Sequence, residues 1–276
     1  MHRKDITLKV IEIFIQGKEN DPDTCEDGIF IGENIAAVLD GVTAKGTCLW
    51  EGRKSGCFGK NLLLKYLKTC RDTETPEEFF SGLDLQLGQA IEERTDEIGP
   101  EDFPRVSVIV YNERWREIWS YGDCQCRIHD KVYDHAKKID KMNGELRAFY
   151  LEYFLSQGWS MEELEEEDPG RKAIEKNLIM QLAFENKPGK FGYPVLNGQG
   201  IRPSMIKRYR VNPGEEIVLA SDGYPALKGS WQESEKALQD LLEQDPMCFR
   251  LYPSTKGVKP GNVSFDDRAY CRILAE

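Results

Sequence analysis

Nowhere in this sequence do about 18 apolar residues run together, the length a helix needs to cross a bilayer, and residues 1–8 hold charges but no apolar centre. No membrane span and no secretory leader are expected, so the chain reads as a cytoplasmic protein. Positive charge is in deficit as well: 37 Lys and Arg face 48 Asp and Glu, a formal net charge of −11 that repels nucleic-acid backbones and anionic lipid surfaces. Neither is expected as a partner. Histidine is scarce, with only His2, His129 and His135. None partners Thr43 or Ser221 in a recognisable pattern, which sets aside a nucleophile with a histidine base. Phosphate-cradling signatures of the G-x-x-x-x-G-K-[ST] and G-x-G-x-x-G types are missing, as is any repeat at a fixed period.

Cysteine is present but dispersed. Cys25, Cys48, Cys57, Cys70, Cys124, Cys126, Cys248 and Cys271 fall in apolar or regular segments, the usage of reduced, packed thiols. Cys124 and Cys126 share one face at strand period, with no second Cys or His pair at zinc-finger spacing, so no zinc site is expected there.

What is there suffices for a core without staples, since a chain of 276 residues buries about three quarters of its unfolded surface. Residues 6–16 alternate imperfectly and are rich in isoleucine, predicting an antiparallel strand. Residues 29–41 read as a hairpin turning at Gly32-Glu33-Asn34, with Asp40 at the tip of the outgoing strand. Residues 59–70 and 75–94 predict consecutive helices packed over a sheet, the second capped by Thr75 with Pro76 behind it. Residues 105–133 give three β-rich runs, expected as an antiparallel meander that delivers Asp123 at its second junction. Residues 134–200 read as a helical excursion or flap, with the acidic run 162–170 as a solvated face or loop. Strand character returns at 205–211, 215–223 and 266–275, with a helix at 235–244. This order predicts one α+β domain over residues 1–276.

Asp-Gly occurs at Asp27-Gly28, Asp40-Gly41 and Asp222-Gly223. Such a dipeptide is a favoured hairpin turn, but Asp40 and Asp222 end fully apolar runs. A carboxylate where a buried strand emerges is costly unless a cation or hydrogen bonds compensate. Two such ends suggest a shared cation, with Asp123 and Asp266-Asp267 as further candidates. A donor set of carboxylates suits hard ions such as Mg²⁺ and Mn²⁺, and implies metal-assisted hydrolysis.

In order, the motifs CEDG (25–28), VLDG (38–41), YGDCQCRI (121–128), LASDGY (219–224) and FDDRAY (265–270) resemble the successive motifs of metal-dependent serine/threonine protein phosphatases of the 2C type, in a divergent, bacterial-like form. The family's motifs read roughly N-E-D, D-G, G-D-S-R, S-D-G and D-N or D-D, and the correspondence spans about residues 6–274. The resemblance implies two stacked antiparallel β-sheets flanked by helices, a four-layer α-β-β-α sandwich. It implies two Mn²⁺ or Mg²⁺ ions with a possible third. Asp40 would bridge two ions, and the Gly41 carbonyl and Glu26, through water, would attend one of them. Asp222 and Asp266 would complete the other, Asp123 would join Asp222 in holding the third, and Asp27 and Asp267 would support the site. Asp40, Asp222 and Asp266 would carry catalysis by a metal-activated water, the substrate would be a phosphorylated protein, and a monomer is expected.

The chain departs from the family in two places. No arginine lies within residues 20–24 before the Glu-Asp pair, leaving Lys18 nearby, and Val42-Thr43-Ala44-Lys45-Gly46 replaces a His-Gly-Gly or Met-Gly-Gly stretch. Lys18 and Lys45 are the candidate phosphate contacts, without the bidentate fork of an arginine; for Lys45 a plain solvated lysine is the alternative. The departures keep a second reading open: a weak or inactive phosphatase-like module that binds a partner or phosphopeptide.

Overall fold

The chain folds as two five-stranded antiparallel sheets in a computed structural model that describes residues 8–276. His2 and the first residues of the expected opening strand, Ile6 and Thr7, lie outside the described residues. One sheet has the order β1 (Lys9–Gln16), β10 (Arg268–Leu274), β9 (Glu216–Ala220), β6 (Gln125–Ile128), β7 (Lys131–Tyr133). The other runs β2 (Asp27–Ile31), β3 (Ile35–Gly41), β4 (Val106–Asn112), β5 (Glu117–Tyr121), β8 (Lys207–Arg210).

Alternation sorts the side chains into layers. Val38 of β3, Ile109 and Tyr111 of β4, Cys124, Leu219 of β9 and Cys271 of β10 meet between the sheets. The opposite face of the second sheet, Ala37, Leu39, Val108, Val110 and Trp119, receives Leu63 of α1 (Ser55–Leu67) and Phe79, Phe80, Leu83 and Leu87 of α2 (Pro76–Glu92). Full burial of each such side chain is worth about 1.5–3 kcal/mol. The outer face of the first sheet packs Phe14, Val218 and Tyr270 against Trp231, which opens α6 (Trp231–Gln244). The four layers expected are the four observed. Thr75 caps α2 with a reciprocal Thr75–Glu78 box, which satisfies amide hydrogens that a helix start otherwise leaves unpaired. Six of the eight cysteines are buried, and all are free thiols.

The expected three-run meander is not formed. β4 and β5 pair within one sheet, but the third run crosses to the other sheet and splits into the β6–β7 hairpin around His129-Asp130. Gly122 makes the crossing: its φ of +131° is one that L side chains rarely adopt, and a Cβ there would strike the Ser107 side chain. Of the solvated face or loop expected for the acidic run, the exposed face is the one observed. The run forms a short helix, α4 (Met161–Glu167), whose Ser160 cap and first-turn Glu162 and Glu163 suit a helix N-terminus. Beside it lie α3 (Lys138–Ser156) and α5 (Pro169–Met180). The wholly buried Arg147 of α3 donates to the Asp168 carboxylate and to the carbonyls of Met247, Cys248 and Ser254, fastening these helices to the segment that precedes β10. No helix among the described residues is long and apolar enough to cross a membrane.

Gly122→Ala is expected to lower unfolding free energy by about 2 kcal/mol, because the side chain meets both strain and Ser107. Chemical denaturation with an unchanged midpoint contradicts this account of the sheet crossing.

Candidate active site

The strand ends that carry aspartates converge at one end of the sandwich. Asp40 closes β3, with Asp27 of β2 on one side and Ser107 of β4 on the other in register. Asp222 follows β9 in the other sheet, and Asp123 sits on the crossing between the sheets. Carboxylate oxygens of Asp40, Asp123 and Asp222 lie within 4.8 Å of one another. The turn at Asp222 is held from both sides: the Gln125 amide donates to the carbonyls of Ser221 (3.1 Å) and Tyr224 (2.8 Å), and the Ser221 hydroxyl accepts from the Ala269 amide (2.9 Å). Gly41 lets this end of β3 approach helix α1, because a Cβ there would collide with the Gly56 carbonyl.

The remaining acidic residues form a support beneath. Asp267 is buried and accepts from the amides of Lys18 (2.7 Å) and Glu26 (3.0 Å). Lys18 places its ammonium 2.9 Å from Glu26, 2.9 Å from Asp267 and 3.5 Å from Asp266. Burial opposes its charge, but these three carboxylates outweigh that and raise its pKa. Lys18 is thus a counter-ion among carboxylates and does not line the cleft, so a phosphate contact there finds no geometry. Thr43 donates at 2.8 Å to Glu26 Oε2, the same oxygen that Lys18 contacts. Glu26 Oε1 and Asp27 Oδ2 are buried without a hydrogen-bond partner.

The four cleft aspartates are in two different electrostatic conditions. Asp123 accepts from the Ser107 hydroxyl and lies 2.5 Å from the ammonium of Lys137. Burial alone would push its pKa up, but Lys137 holds it below the usual carboxylate range. Asp266 lies 2.5 Å from Lys256 and 3.5 Å from Lys18, which against burial bring it down to about 2. Asp40 and Asp222 have no ion pair or side-chain hydrogen bond among the described residues. Burial first, then neighbouring carboxylates, pushes both well above the ordinary value. This is the condition of acidic groups whose compensating charge comes from outside the chain.

Above them opens a cleft of about 630 Å³, lined also by Lys45 and, from α5, by Arg171. Arg171 donates to the Thr255 carbonyl at 2.8 Å, and neither cation has an ion pair among the described residues. Sequence reasoning placed Lys45 but missed Lys137, Arg171, Lys256 and Ser107. Each stands in a segment where nothing sets it apart: Lys137 adjoins the exposed Lys138, and Arg171 adjoins Lys172, which pairs with Glu167. Of the histidines, His129 is an exposed turn residue. His135 is partly buried just beyond β7: its Nδ1–H donates to the Cys124 carbonyl (2.6 Å), and Nε2 accepts from Tyr209 (2.7 Å).

No protein-family model matches the chain, and no curated protein matches it. Solved structures do. The catalytic domain of the serine/threonine protein phosphatase PstP, in complex with two manganese ions, is 12% identical over 97% of this chain and 100% of that one, with a TM-score of 0.50. Serine/threonine phosphatase Stp1 from Staphylococcus aureus is 13% identical over the whole of both chains, also with a TM-score of 0.50. The chain shares their fold.

Burial, then Arg171 and Lys256, brings Lys45 down to about 7. A base depressed in this way gives up its proton through neutrality, so its attraction for anions fades as pH rises. Sulfate, whose charge is constant here, is expected to bind more weakly at about pH 8 than at about pH 6, with the difference lost in Lys45→Met. Equal pH dependence in both proteins, by titration calorimetry, contradicts the assignment.

Proposed function

We propose that the protein is a metal-dependent phosphatase that hydrolyses phosphoserine and phosphothreonine on proteins. The observation that carries this reading is the pairing of opposites in one cleft: uncompensated Asp40 and Asp222 at the base, unpaired Lys45 and Arg171 on the walls. A hard divalent cation suits the first pair, since all donors are carboxylate oxygens and the buried Glu26 and Asp27 each retain an unpartnered oxygen nearby. The Gly41 carbonyl is at hand on the same strand end. A phosphoryl group suits the second pair, because its charge needs both neutralisation and orientation. The shared fold is consistent with this reading.

The bound cation, Mn²⁺ or Mg²⁺, supplies Lewis acidity and a nucleophilic water at neutral pH. The chain's own residues do the rest. Asp40 and Asp222 would hold the ion. Arg171 and Lys45 orient the phosphoryl oxygens, and Arg171 provides the planar donor set missing before Glu26. Asp267, Lys18 and Thr43 keep the Glu26 carboxylate fixed. The partner is a phosphorylated protein, engaged at the cleft mouth beside the helices at 138–180. The pairing of Asp123 and Asp266 with lysines favours, as a second reading, a weakly active module that binds phosphopeptides.

Hydrolysis of p-nitrophenyl phosphate and a phosphothreonine peptide should require Mn²⁺ or Mg²⁺ and fall more than about a hundredfold in Asp40→Asn and Asp222→Asn. Arg171→Ala should instead raise KM more than it lowers kcat, as loss of a ground-state phosphate contact does. A folded protein that binds the peptide without turnover under either metal establishes the module.

A further inference from the structure

The resemblance assigns ions to Asp123 and Asp266, but the structure puts ammonium groups there. We propose that Lys137 and Lys256 are resident cations that limit the cleft to one divalent ion, held between Asp40 and Asp222. This rests on reading the cleft as a metal-dependent phosphatase site.

Both oxygens of Asp123 are taken, Oδ1 by the Ser107 hydroxyl and Oδ2 by Lys137 at 2.5 Å. Lys137 is itself buried, with its side chain 9% exposed, and it is held in place by Asp140 at 3.6 Å and by the Tyr193 ring at 5.2 Å. It stands immediately before α3, so the backbone fixes the reach of its side chain. Asp266 is likewise engaged at both oxygens: Oδ1 accepts from the Asp267 amide and lies 3.5 Å from Lys18, and Oδ2 faces Lys256 at 2.5 Å. An ion arriving at either aspartate meets an ammonium already in contact with the carboxylate, and to displace it is to push a further positive charge into a cleft that already holds Lys45 and Arg171. At Asp40 and Asp222 nothing need be displaced. The lysines keep the local charge near that of a multi-ion site while each contributes one charge and no exchangeable water, which separates charge neutralisation from water activation.

The test is Mn²⁺ stoichiometry of the metal-stripped protein by calorimetry, with electron paramagnetic resonance to detect spin coupling between ions. Wild type is expected to bind one uncoupled Mn²⁺, and Lys137→Ala a second, coupled one beside Asp123. Lys256→Ala should also gain an ion, independently. The charge-neutral double variant Asp123→Asn with Lys137→Met should return to one, which guards against a misfolded single variant. Two coupled ions in wild type, no ion in wild type, or no gain in either alanine variant overturns the proposal. One ion without phosphopeptide hydrolysis leaves this inference standing and removes the phosphatase reading; two coupled ions with hydrolysis do the reverse.

Discussion

Two carboxylates from different sheets are brought together without an ion pair to either among the described residues, and the architecture of this end of the molecule is arranged around that repulsion. Asp40 and Asp222 emerge from β3 and β9, whose apolar residues are locked in the layer between the sheets. Their backbone positions are therefore set by burial along the strands, and relief by moving apart would disturb many packed side chains. The cost of holding unpaired charge is met by the core.

The surrounding residues divide the acidic end into a compensated and an uncompensated part. Asp267 and Lys18 tie the first strand's turn to the Glu26 loop, Lys137 covers Asp123, and Lys256 covers Asp266. Of the four cleft aspartates, Asp40 and Asp222 are the two without an ion pair or side-chain hydrogen bond among the described residues. The helices of 138–180 matter to this division because they, with the loop that Arg147 grips, carry Arg171 and Lys256 over the strand ends. A protein with a net charge of −11 thus places Lys45 and Arg171, without ion pairs among the described residues, on the wall of this cleft.

Most of the framework was legible in the sequence because it is written in local periods. The apolar runs ending at Asp40 and Asp222, the Thr75-Pro76 helix start and the isoleucine-rich first strand each carry their structure within a few residues. The sheet exchange at Gly122 was not legible. A Gly-Asp junction between two β-rich runs looks the same whether the chain reverses within a sheet or leaves it, and only the positive φ of Gly122 distinguishes them. The lysine partners were hidden for a related reason: pairing Lys137 with Asp123 or Lys256 with Asp266 depends on how α3 and the pre-β10 loop come to lie over the strands. Lys18 was picked out by proximity in sequence, and the fold turned it toward carboxylates instead of the cleft.

Uncompensated charge between Asp40 and Asp222 predicts a trade of stability for function that thermal unfolding measures directly. Acids whose pKa is raised by folding oppose the folded state once ionised, so above the ordinary carboxylate pKa neutralising one of them should stabilise the metal-free protein. Without metal, Asp40→Asn and Asp222→Asn should melt at higher temperature than wild type; with Mn²⁺ added, wild type should rise and the variants should not. Variants that melt lower than wild type without metal, or that respond to Mn²⁺ as wild type does, would contradict the central claim that these two carboxylates, without an ion pair among the described residues, are the ones a cation compensates.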